Sequence, residues 1–119
     1  MTEFASLDRC AAFVAARSTL VSVQRAAQAW PPSLAEHARR AAATVVDVTA
    51  EATSYRHASS ERRRCLREAI RGAVHVVDTV DRARALGYDD GAIDDLARVA
   101  GRSVALLGMF LHANTTAFA

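Results

Sequence analysis

The sequence predicts an all-α protein: one domain, residues 1–119, folded as an antiparallel up-down-up-down four-helix bundle. Three observations carry this prediction. Apolar residues recur at intervals of three and four along four successive stretches, as one buried face per helix requires. Only 5 Gly and 2 Pro are spread through 119 Ala-rich residues, so little interrupts long helices. No stretch alternates apolar and polar residues as a half-buried strand does. Short connections between long helices then leave antiparallel neighbours as the arrangement.

Thr2 is placed to cap a first helix running to about Gln28. Its stripe is Cys10, Phe13, Ala16, Leu20, Val23, Ala27 and Trp30, widened by Leu7, Val14 and Val21. Trp30-Pro31-Pro32 stops it, because the residue before a proline disfavours the helical region. Ser33-Leu34-Ala35-Glu36 reads as a capping box that opens the second helix. The stripe there is Leu34, Ala38, Ala41, Val45, Val48, Ala52 and Tyr55, a heptad-like spacing suited to left-handed packing. His57-Ala58-Ser59-Ser60 is the expected break after it, although no Gly or Pro enforces one.

The third stretch, Ser59 to Tyr88, organises the chain. Leu66, Ala69, Ile70, Ala73, Val76, Val77, Val80 and Ala83 form its apolar face, with Arg64, Arg67, Arg71, His75, Asp78 and Arg82 opposite. Ser59 or Ser60 caps its start, and Gly87 supplies the left-handed residue that ends it. Gly87-Tyr88-Asp89-Asp90-Gly91 is a turn, from which Asp89 or Asp90 caps the fourth helix. Asp94 and Asp95 suit the positive end of that helix's dipole. Its stripe is Ile93, Leu96, Ala100, Ser103, Leu107 and Phe110, thickened by Val99 and Leu106, and fraying is expected from about Asn114.

Composition bounds the function classes. Apolar residues make up 51% and charged residues 24%, ordinary for a soluble globular domain. The longest apolar runs are a few residues, against the roughly 20 of a membrane span. No charged leader with an apolar core opens the chain, and the isolated Cys10 and Cys65 make neither a disulfide framework nor a zinc spacing. A cytoplasmic protein without a membrane partner is expected. The 15 basic residues are all Arg and the net charge is only +2, but the charge is polarised. Residues 56–71 hold six Arg against two Glu, a local +4, and residues 78–95 hold six Asp against two Arg, a local −4. In an up-down bundle these segments mark opposite poles.

Catalysis finds no support, and no cofactor or metal is expected. No Glu is followed three residues later by His, as a di-iron bundle needs. His37, His57, His75 and His112 are singletons that read as surface residues. Cys10 and Cys65 fall near core stripes and read as small buried side chains. No Gly-rich loop cradles a phosphate, and Gly101-Arg102 reads as a close-packing site. The Arg-rich run has two readings. It is a solvated face locally paired with Glu61, Glu68 and Asp78, or it binds phosphates bidentately with release of counterions. With aromatic residues at 6%, such binding would follow the backbone and be weakly sequence-specific.

Several short motifs recur together: Arg39-Arg40-Ala41-Ala42-x-Thr44-Val45, Ala50-Glu51, Arg56-x-x-Ser59 and Ala83-x-x-Leu86-Gly87-Tyr88, preceded by Trp30-Pro31. In this the chain resembles the four-helix-bundle proteins of ribosomal-RNA intervening sequences. That family includes the accessory variability determinant proteins of diversity-generating retroelements. The likeness covers about Trp30 to Tyr88, and Val48-Thr49-Ala50-Glu51-Ala52 stands where the family has Asn-Ile-Ala-Glu-Gly. The resemblance implies a homopentamer and, in the retroelement branch, work with a reverse transcriptase and RNA or DNA. It favours Arg56, Arg63, Arg64, Arg67 and Arg71 as the nucleic-acid-binding residues. Glu51 matches the family's acid and is expected to pair with Arg39, Arg40 or an Arg of a neighbouring subunit. Val21 and Val74, beside rather than within the core arcs, leave apolar surface for subunit contacts. The alternative class is a self-assembling scaffold that binds only protein.

Overall fold

The computed structural model describes residues 10–115. They form α1 (Ala11–Ala26), α2 (Pro32–Ala52), α3 (Ser60–Ala85) and α4 (Gly91–Thr115), with a single 3-10 turn, Ala27–Ala29, after α1. Each helix packs on the two beside it in the cyclic order α1, α2, α3, α4, so the protein is an all-α four-helix bundle. The expected cap Thr2 and the flanking Leu7 lie outside the described residues.

The termini follow local chemistry. Trp30 turns extended at φ −80°, ψ 158°, as the following prolines demand. Pro32 then takes the first position of α2, where its missing N–H costs nothing and its fixed φ suits the helix. That early start overrides the expected capping box: Pro31 is the N-cap residue, no side chain caps α2, and Ser33 is already helical. Ser59 Oγ accepts from the Arg62 N–H at 3.1 Å and caps α3, while Gly87 ends it at φ +98°. Asp90 Oδ1 accepts from the Ile93 N–H at 3.0 Å and caps α4.

The α2–α3 break falls where expected, and its device is Ala58, held at φ 62°. A non-glycine residue in this region carries strain, and a bond from α4 holds it there. The Ala58 N–H donates to Asn114 Oδ1 at 2.9 Å, and Asn114 Nδ2 donates to the Phe110 carbonyl at 2.8 Å. Asn114 is fully buried, so the helix is held at the point where fraying was expected to begin, and the residues after Thr115 lie outside the described ones.

The core has two apolar halves. Trp30, Leu34, Val76, Val80, Ile93 and Leu96 fill the half beside the α3–α4 turn. Val45, Cys65, Leu66 and Leu107 fill the half beside the α2–α3 turn. At the waist the fully buried Thr19 and Ser103 place their hydroxyls 2.8 Å apart, tying α1 to α4. Small residues bring the helices close. A Cβ on Gly72 would stand 2.8 Å from Val45 Cγ2, whereas Gly101, expected to be the packing glycine, is exposed with nothing within 4 Å of such a Cβ.

By length and composition α4 is apolar enough to cross a membrane, at a mean hydropathy of 1.2, although its unbroken apolar runs are only a few residues long. As packed, its apolar content divides between the buried Ile93, Leu96 and Leu107 and an outer row that includes the exposed Met109.

Candidate nucleic-acid interface

The basic segment gathers at the pole formed by the α2–α3 turn and the end of α4, joined there by the Ala58–Asn114 bond. Two of its arginines serve the turn itself. Arg62 donates from Nε to the Ala52 carbonyl at 2.9 Å and lies 5.4 Å from the Phe110 ring centroid. It thereby satisfies one of the carbonyls left open at the end of α2. Arg63, expected to bind nucleic acid, is half-buried and donates to the Ala58 carbonyl. Its first duty is to the strained turn.

Arg56, Arg64, Arg67 and Arg71 are exposed. Arg64 and Arg71 lie two turns apart on one face of α3, about 10.5 Å along the axis, and Arg67 lies between them. The ion pairs among the described residues are Arg40–Glu36, Arg84–Asp94 and Arg98–Asp95. None involves the stripe, so at ion-pair distance it meets none of Glu61, Glu68 and Asp78. Glu61 instead accepts from the Ser60 hydroxyl at 2.7 Å. That bond chiefly holds its carboxyl below the usual range, with Arg64 and Arg63 adding smaller pulls.

Within the chain, Glu51 meets neither Arg39 nor Arg40 but another partner. Cys65 Sγ donates to its Oε2 at 3.2 Å. Arg39 and Arg40 start 11 or 12 residues up the same helix, about 16–18 Å away. Arg39 is exposed, and Arg40 pairs with Glu36 at 3.4 Å. Cys65 is buried, and burial pushes its thiol above the ordinary range, with the bond to Glu51 as the next cause. A protonated thiol is a poor nucleophile.

The four histidines are exposed and on separate elements, except that His37 of α2 and His75 of α3 line one cleft. Among the described residues no group of three His, Cys, Asp or Glu side chains is placed to hold a metal. That cleft, about 350 Å³ between α2 and α3, is lined also by Arg40, Thr44, Asp78 and Arg82. Sequence reading missed it, because its members come from two helices whose relative rotation only packing sets. The spacing of His75, Asp78 and Arg82 on the polar face of α3 was the available signal. No protein-family model and no curated protein matches this chain.

Proposed function

We propose that this protein is a non-enzymatic, cytoplasmic accessory subunit that assembles with itself and binds RNA or DNA through the α3 arginine stripe. The observation that carries this reading is that Arg64, Arg67 and Arg71 are exposed on one face and form no ion pair with a carboxylate among the described residues. Guanidinium groups so placed gain by meeting phosphates, whose condensed counterions are released. Repetition of the stripe around an oligomer multiplies a modest local charge into a strong field. Val21, Val74 and Met109 are exposed large apolar residues, and they are candidates for subunit contact. A ring of five and a reverse transcriptase partner follow from the family resemblance.

The test compares wild type with the triple charge reversal Arg64→Glu, Arg67→Glu, Arg71→Glu by anisotropy of a labelled oligonucleotide. Circular dichroism and light scattering monitor fold and assembly. Loss of binding with helix content and mass unchanged supports the reading. Wild type that assembles but binds no oligonucleotide at low salt makes the protein a scaffold for protein partners.

A further inference from the structure

The groove between α2 and α3 has two adjoining compartments. The first, of about 350 Å³, brings Arg40 and His37 of α2 against His75 and Arg82 of α3, with Asp78 and Thr44 beside them. The second, of about 420 Å³, is lined mainly by Pro31, Leu34, Ala85 and Leu86, and shares His37 and Arg82 with the first. Leu86 is 61% exposed, which leaves an aliphatic side chain open to solvent on this compartment. Both volumes lie in the range of roughly 300–1,000 Å³ usual for small-molecule sites.

We infer that this groove holds a nucleotide. Its phosphate lies among Arg40, Arg82, His37 and His75, and its base lies over Pro31, Leu34 and Leu86. The division of chemistry argues for this. Two arginines from different helices, Arg40 and Arg82, line one compartment, and guanidinium groups on two sides suit a phosphate. The apolar compartment opens beside Arg82, whose planar guanidinium also stacks on a base face. Arg40 keeps an exposed partner in Glu36 at 3.4 Å, an ion pair weak enough to yield to a phosphate. Asp78 supplies an acceptor for a ligand hydroxyl or amino group. The groove continues the arginine stripe. Arg71 precedes His75 by one turn of α3 and Arg82 by three, about 16 Å, so a backbone following the stripe leads into it. The inference rests on the proposed nucleic-acid binding for that continuity, and on the two compartments for the nucleotide itself.

The test is calorimetric titration of the intact protein with adenosine monophosphate and, separately, with ribose 5-phosphate. The variants are Arg82→Gln, Leu86→Ser and the triple Arg64→Glu, Arg67→Glu, Arg71→Glu. All five positions are exposed, and circular dichroism checks each fold. The mononucleotide is expected to bind at least about tenfold more tightly than the base-free phosphate. Arg82→Gln should weaken it by about tenfold or more, Leu86→Ser should erase the preference for the base, and the stripe variant should leave mononucleotide binding intact. Displacement of a bound oligonucleotide by the mononucleotide assigns the groove to a nucleotide of the strand. Simultaneous binding assigns it to a free nucleotide, and either supports the site. Equal affinity for the two phosphates, or no mononucleotide binding at millimolar concentration, overturns it. If the oligonucleotide still binds through the stripe in that case, the proposed function stands without the groove.

Discussion

Asn114, four residues after Phe110 near the end of α4, accepts the Ala58 N–H at 2.9 Å across 56 residues of sequence. This bond holds the α2–α3 turn in a left-handed conformation at φ 62°, and with it the first turn of the basic helix. Removing the acceptor strands a part-buried N–H in a strained loop. Asn114→Ala is expected to cost about 1–3 kcal/mol, read as a lowered denaturant midpoint. Ala58→Gly removes the Cβ penalty of that conformation and should raise stability by up to about 1 kcal/mol. An Asn114→Ala variant as stable as wild type would show that the turn holds itself.

Thr49 presents the opposite case. Its side chain is fully buried in α2 and its Oγ1 has no hydrogen-bond partner among the described residues. A hydroxyl taken out of water without compensation costs roughly 1–3 kcal/mol. Thr49→Val keeps the shape and discards the polar atom. Chemical denaturation should show an unchanged or raised stability, and a clear loss would mean that the hydroxyl is bonded.

Cys65 should behave as an inert thiol. Burial first, and then the bond to Glu51, raise its pKa. The folded state therefore keeps the proton that the unfolded chain loses near pH 8.5. This contribution to stability is complete below that pH and declines as pH rises beyond it toward the folded-state value. Iodoacetamide at mildly alkaline pH should modify half-buried Cys10 first and reach Cys65 only on unfolding. Equal rates at the two sites would contradict the burial of Cys65.

Most of the bundle was legible in the sequence, because periodic apolar residues and punctuating Gly, Pro, Ser and Asp act locally. Leu66, Ala69, Ala73, Val76, Val80 and Ala83 are all buried as their spacing requires, and Ser59, Gly87 and Asp90 end or cap helices as read. The misses are long-range or polar. Thr19, Ser22, Thr49 and Ser103 are buried, and hydropathy gives them no signal in a core. In α2 the buried face includes Ala42 and Thr49 rather than centring on Ala41 and Val48. A bundle helix touches two neighbours, and its rotation is set by both. The partners of Glu51 and Asn114 lie 14 and 56 residues away, beyond any local pattern. The stripe itself was legible, but that Arg62 and Arg63 are engaged by the turn was not, since only the folded loop places the Ala52 and Ala58 carbonyls within their reach.

The proposed contact of Arg64, Arg67 and Arg71 with phosphates is read from the salt dependence of oligonucleotide affinity. Each phosphate contact contributes about 0.7–0.9 to the slope of log affinity against log salt. Neutralising the three as Arg64→Gln, Arg67→Gln and Arg71→Gln should flatten the wild-type slope by about 2–3 and weaken binding similarly for unrelated sequences. Identical slopes for the two proteins, or no measurable wild-type binding at low salt, would contradict the claim.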